Sequence, residues 1–253
     1  MHDKTKYVRM DVSKLFLGCI VIILLVDIST LKAQDSAKGD STALEATMAL
    51  IDHMGGKDVW SQLSQIKFQH RWYPVNRESY LEDEVIDLTN IRSWVRMKND
   101  SYERVRAYSP EYGYWSWTNG NLVQNNEASW ESAKARGPFN IYRFLRELSL
   151  GNTRYELKMG DSDIPTAKKI EIHFDGVYGG SITVNYDFEP LVWETMDYTY
   201  TFGPMESYGN IRHPKWAIYN KGSFRYEIIT VKGSKKATEM TLYKLPDEYI
   251  DGE

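Results

Sequence analysis

From residue 66 to residue 243 the sequence repeats one local pattern, apolar and polar residues alternating between clusters of turn formers. Successive strand residues point to opposite faces, so this period belongs to half-buried antiparallel strands. In the first run, Ile66, Phe68, His70 and Trp72 share one face, and Lys67, Gln69, Arg71 and Tyr73 share the other. The same reading predicts strands over 79–88, 91–98, 102–109, 112–118, 154–159, 168–175, 181–188, 191–202, 215–219, 224–231 and 237–243. Asn99-Asp100, Asn119-Gly120, Gly160-Asp161, Gly179-Gly180, Glu189-Pro190, Asn220-Lys-Gly222 and Lys232-Gly233 supply the joints, and Asn-Gly suits the φ > 0 positions of a tight hairpin. A meander of about ten neighbouring strands does not stay open and flat, so it curls or closes.

Two stretches break the alternation. Ser41 or Thr42 opens a helix whose apolar stripe is Leu44, Met48 and Ile51, and Gly55-Gly56 ends it before a short second helix over 57–63. Residues 126–151 form an insertion in which Ile141, Phe144, Leu145 and Leu148 recur at helical spacing. The expected fold is mainly β (α+β): a curled antiparallel sheet or incomplete barrel with both sets of helices over its concave face.

The N-terminus has a separate logic. Lys4, Lys6, Arg9 and Lys14 precede an apolar run over 15–26, the layout of a signal peptide and short of the ~20 residues that span a bilayer. Cleavage is expected between Ala33 and Gln34, giving a signal peptide (1–33), a small polar leader (34–41) and one domain (42–253). The single cysteine, Cys19, lies inside the apolar run, where a lipid-modified cysteine would end it. The processed chain then has no cysteine, which excludes disulfides and thiol chemistry. The net charge of −4 offers no footprint for nucleic acid. Export to the periplasm of a Gram-negative-type bacterium is the expected destination.

Met54-Gly55-Gly56-x-x-x-Trp60, followed by the Ile66-x-Phe68 strand and placed behind a signal peptide, resembles secreted proteins of the LolA/LolB-like superfamily. Many such relatives are uncharacterised. The resemblance implies an unclosed antiparallel barrel, covered by helices, that holds acyl chains. It also implies a lipid or other hydrophobic molecule as ligand, and transient contact with a membrane or a lipoprotein.

By alternation and helical spacing, the candidates to line such a cavity are Phe68, Trp72, Trp115, Trp117, Phe144, Leu145, Ile172, Phe174, Val184 and Tyr186. Trp115 and Trp117 stand out, because two indoles on one strand face need a large apolar space. A second class of function is a glycan-binding surface, for which Tyr73, Tyr114, Trp130, Trp193 and Trp216 are available and Trp94 looks outward beside Arg92 and Arg96. A hydrolase has less support. His53, His70, His173 and His213 are too dispersed for a metal site, Gly-x-Ser-x-Gly is absent, and Glu82, Asp83 and Glu84 read as a solvated strand start. No cofactor is expected. Arg71, Arg92, Arg96, Arg104 and Arg106 all fall on strands, and nothing in their spacing assigns them a role.

Overall fold

The computed structural model describes residues 37–250. The expected signal peptide, its cleavage point and most of the leader lie outside the described residues. The end of that leader is not loose: β1 (Lys38–Gly39) pairs in parallel with β8 (Tyr155–Gly160).

The chain runs outward in one half and returns in the other. The outward half is β2 (Gln65–Pro74), β3 (Tyr80–Asp87), β4 (Arg92–Lys98), β5 (Glu103–Ser109), β6 (Gly113–Thr118) and β7 (Asn121–Gln124). The return is β8, β9 (Lys168–Phe174), β10 (Val177–Val184), β11 (Pro190–Thr195), β12 (Thr199–Phe202), β15 (Trp216–Tyr219) and β16 (Phe224–Ser234). Together with β1 these make one 14-stranded sheet in the order β1-β8-β9-β10-β11-β12-β15-β16-β2-β3-β4-β5-β6-β7, with β1 and β7 as unjoined edges. Every neighbouring pair except β1–β8 is antiparallel. The sheet is thus large, curled and unclosed, as the alternation predicts.

Several details differ from the sequence reading. The strand expected over 181–188 is β10, which runs straight through Gly179-Gly180, and Lys232-Gly233, expected as a joint, lies inside β16. The expected strand over 191–202 is two strands, β11 and β12, divided at a turn where Thr195 N donates to Tyr198 O (2.8 Å). A hairpin of β13 (Met205–Tyr208) and β14 (Ile211–Pro214) stands apart from the main sheet, its four-residue strands too short to register as alternation. Residues 237–243, expected as a strand, instead end in a 3₁₀ turn (Met240–Tyr243) whose amides bond locally, Leu242 N to Glu239 O at 3.1 Å.

Helix α1 (Ser41–His53) turns Ile51 and, in part, Leu44 inward as expected, but its buried stripe is shifted away from Met48. Ala43, Ala46, Leu50 and Ile51 are buried and Met48 is exposed, because alanine lets the helix lie close on β8 and β9. Its first turn is tied to the sheet by Asp40 Oδ2, which accepts from Met159 N at 3.0 Å. The Gly-Gly turn leads to α2 (Lys57–Gln62). Gly55 has φ +126°, and a Cβ there would lie 2.5 Å from the Asn210 carbonyl oxygen, so glycine is required on both counts. Met54 O accepts from Trp60 Nε1 (3.1 Å) and from Arg212 N (3.2 Å). The segment that resembles a family motif is therefore a clasp between the first two helices and the β13–β14 hairpin.

Because β7 is one edge of the sheet and β8 lies near the other, residues 125–154 have to cross the concave face. They do so as α3 (Glu127–Arg136), a 3₁₀ turn (Gly137–Phe139) and α4 (Ile141–Ser149). Asn126 and Asn140 cap the two helices, accepting from Ser129 N and from Tyr142 N at 3.0 and 3.1 Å. Helix α4 buries Ile141, Phe144, Leu145 and Leu148, the stripe read from the sequence.

The opposite face of β4–β6 carries a second, small core. Val105, Ala107, Trp115 and Tyr243 are buried there together, with Trp94, Met240, Leu245 and Tyr249 against them. Trp115 Nε1 donates to Tyr243 O at 2.8 Å, and Trp117 stacks on Tyr249 at 4.9 Å. Truncation of this 2% exposed indole, Trp115→Ala, is expected to cost about 3–5 kcal/mol of stability, as for large core residues generally. Urea denaturation followed by far-UV circular dichroism would measure it.

Candidate functional site

Strand pairing arranges the inner residues in rows across the sheet. One row runs Tyr226–Trp72–Tyr80. The next runs Ile228–His70–Glu82–Met97–Arg104, and the third Val231–Phe68–Glu84–Val95–Arg106. Two rows with charged side chains thus lie on the inner face of a curled sheet, beside an aromatic row. They border a cavity of about 750 Å³ between the sheet and the crossing helices, which is within the size range of ligand sites.

The remaining wall is aromatic. Tyr198, Tyr200 and Phe202 of β12, Trp193 of β11, Tyr219 of β15 and Phe224 of β16 all line it. Trp193 stacks on Tyr200 at 5.4 Å, Tyr200 meets Tyr219 at 5.1 Å, and Trp72 meets Tyr226 at 4.7 Å. Burial raises the pKa of the Tyr200 and Tyr226 hydroxyls well above their ordinary value, so they remain neutral donors. The helical side contributes Ala133 and Arg136 of α3, and Tyr142 and Arg143 of α4.

The α4 groups are firmly held. Arg143 is buried, and its Nε and Nη2 donate to the carbonyls of Asp87 and Arg92, both at 2.8 Å. His213 Nδ1 faces the Pro214 carbonyl (2.8 Å) and must donate to it, so Nε2 accepts from the Tyr142 hydroxyl at 2.7 Å. Burial pushes the His213 pKa down to about 3, and the ring is neutral.

On the sheet side, His70 Nδ1 and Glu82 Oε1 lie 3.1 Å apart and both side chains are buried. Burial, and then the Glu82 charge, push the Glu84 pKa up to about 7, against the opposing pull of His70, Arg106 and Arg143. One donor atom from each of His70, Glu82 and Glu84 lies within 4.8 Å of the others. A cation seated there would have to displace the Glu84 proton in the field of Arg106 and Arg143, so the grouping is an internal network of charges rather than a strong metal seat. Glu82 and Arg104, like Glu84 and Arg106, are separated by an intervening strand, which puts their Cα atoms about 10 Å apart. Among the described residues, neither guanidinium has a hydrogen bond or an ion pair.

Of the ten residues expected to line a cavity, Trp72 does. Phe68, Phe144, Leu145, Ile172 and Val184 belong to the continuous core beneath the helices, and Phe174 packs against it. Trp115 and Trp117 are on the opposite face under the C-terminal segment, and Tyr186 is 68% exposed. The sheet's apolar side is concave at β2 but convex at β5 and β6, so alternation found the faces without telling inside from outside. The aromatics considered for a glycan surface do not gather on one face either: Trp193 lines the cavity, and Trp94 packs beneath the C-terminal segment. The reading of Glu82–Glu84 as a solvated strand start is corrected, since Glu82 is only 4% exposed and both glutamates face the cavity. The usable signal was the i, i+2 spacing of Glu82/Glu84 and Arg104/Arg106, which puts each pair on one face.

No family model matches the chain, and no curated protein does. The structure is similar to that of a LolA superfamily protein from Nitrosomonas europaea, at 10% identity over 80% of this chain and 97% of that one, with a TM-score of 0.47. It is also similar to an uncharacterised conserved protein from Thermus thermophilus, at 13% identity over 83% and 97% of the two chains, with a TM-score of 0.34. The likeness is one of architecture.

Glu84 gives the site a pH signature. The folded protein holds this proton up to about pH 7, and the ordinary value is 4.5. The stabilising contribution is complete below 4.5 and is lost as pH rises through 7, since the unfolded chain gives up the proton first. Between pH 4.5 and 8 the wild type should therefore lose about 3 kcal/mol relative to Glu84→Gln. Urea unfolding of both proteins at the two pH values checks the difference, in which titrations not linked to Glu84 cancel.

Proposed function

We propose that the protein is an exported, periplasmic binding protein that holds an apolar or acylated molecule non-covalently between its curled sheet and crossing helices. The observation that carries this reading is the 750 Å³ cavity with its aromatic wall. Such a space would collapse or fill with side chains in a chain selected for stability alone. Trp, Tyr and Phe rings offer a ligand large apolar contact, and their hydroxyls offer hydrogen bonds at fixed points. Binding, rather than catalysis, accounts for this arrangement with no further chemistry.

The cavity is half open, and movement of part of the cover would widen its mouth. Within the crossing segment, α4 is pinned by Arg143 and by the Tyr142–His213 bond. Helix α3 is the looser part: Ala133 is its one buried residue, and its contact to the β11–β12 turn is the partly exposed Arg136–Asp197 pair at 3.7 Å. Exposed pairs of this kind contribute little, so α3 can lift at small cost.

Native mass spectrometry of the exported protein, followed by solvent extraction, is the direct test. A stoichiometric apolar or acylated adduct is expected. Trp72→Ala, at the cavity wall, should weaken retention of that adduct about tenfold or more, as loss of a buried aromatic contact does. Unchanged retention in a folded Trp72→Ala protein would count against the cavity.

A further inference from the structure

The cavity is not a uniformly apolar sleeve, and its unpaired polar atoms are all of one kind. Trp72 Nε1, Arg104 Nε and Arg106 Nε are buried without a hydrogen-bond partner among the described residues, and all three residues line the cavity. Each is a donor, and two belong to cations that do not titrate at physiological pH. Leaving such a group unpaired costs free energy that folding alone does not recover. The nearest candidates to neutralise the arginines, Glu82 and Glu84, stand one strand away in the same rows, and Glu82 is already engaged with His70. Glu84, with its pKa near 7, is half protonated at neutral pH and supplies only part of a countercharge.

The charge balance of the lining points the same way. Arg77, Arg104, Arg106, Arg136 and Arg143 face three carboxyl groups, Glu78, Glu82 and Glu84, within a chain whose formal net charge is −4. The cavity is positive inside a negative protein. Arg104 and Arg106 stand at i and i+2 on β5, so both project from the same strand face about 7 Å apart. Two guanidinium forks at that spacing suit an acceptor group with several oxygens.

We infer that the ligand is an amphiphile whose anionic group, a carboxylate or a phosphate, docks on Arg104 and Arg106 while its apolar part lies along the aromatic wall. This rests on the cavity reading above and narrows it to a class of molecule. The Trp72 indole N–H is a further donor along the wall. The partly neutralised Glu84 keeps a second full negative charge away from the bound anion.

The test compares probes that share one chain length. Dodecanoate and dodecyl phosphate carry the anionic group, 1-dodecanol does not, and each is titrated into the delipidated protein by isothermal calorimetry. Charge-assisted hydrogen bonds should make at least one anionic probe bind about 10- to 100-fold more tightly than the alcohol. Which of the two anions binds more tightly separates carboxylate from phosphate as the natural group. In the double variant Arg104→Gln, Arg106→Gln the preference should vanish while 1-dodecanol affinity is retained, which also shows the variant is folded. If that variant does not fold, the single Arg104→Lys and Arg106→Lys variants serve, and each should reduce the preference by losing the planar fork. Equal binding of alcohol and anions, or a preference that survives the substitutions, would overturn the inference and leave the cavity reading intact. Failure of all three probes to bind would overturn both.

Discussion

The pairing of β2 with β16 holds the architecture together. Ten residue pairs join the first long strand to the last, across about 160 residues of intervening chain. With these strands side by side at the centre, the two halves of the chain have no room except outward, toward opposite edges. The segment that links the halves must then travel from edge to edge, and the shortest route lies over the concave side. A cover of helices above a half-open space is the geometric result. The cavity is a product of topology before it is a product of side chains.

Much of this was legible from alternation and turn chemistry, which depend on neighbours in sequence. The strands around Asn119-Gly120 pair as a hairpin with both residues at positive φ, the conformation that dipeptide favours. The α4 stripe is the one its spacing indicates. What local pattern could not supply was curvature. Trp115 and Trp72 both sit on the more apolar side of their strands, yet one faces the C-terminal segment and the other the cavity. Only the pairing of distant strands decides which side is concave. The same limit hid the charged rows: Glu82, Glu84, Arg104 and Arg106 are ordinary strand residues until β4 is laid between them. Residues 237–243 alternate well enough for a strand, but their last four residues close their own hydrogen bonds as a 3₁₀ turn, and the Tyr243 carbonyl serves Trp115.

The charged rows have a cost that the fold meets in two ways. Desolvation of carboxyl and guanidinium groups is expensive in a dry interior and tolerable where they are mutually close or meet a ligand. His70 and Glu82 illustrate the first case, being paired and shielded. The orphaned nitrogens of Arg104 and Arg106 illustrate the second. An interior built for packing alone would place leucine or valine at these positions, as the chain does on β9 and β10, where Ile170, Ile172, Ile182 and Val184 fill the space under α1. One end of the curled sheet is finished as a core, and the other is left as a site.

The C-terminal segment also has a role apart from stability. Beside it lies β7, a four-residue edge strand with no outer partner among the described residues, and beneath it lie Trp94, Trp115 and Trp117. Stripped of that cover, the molecule would present an apolar stripe next to an open ladder of backbone donors and acceptors, the combination from which strand-to-strand aggregation grows. The last turns of the chain therefore act as a solubility device. They cover the apolar face beside the open edge, so that a neighbour meeting that edge finds no sticky stripe next to it.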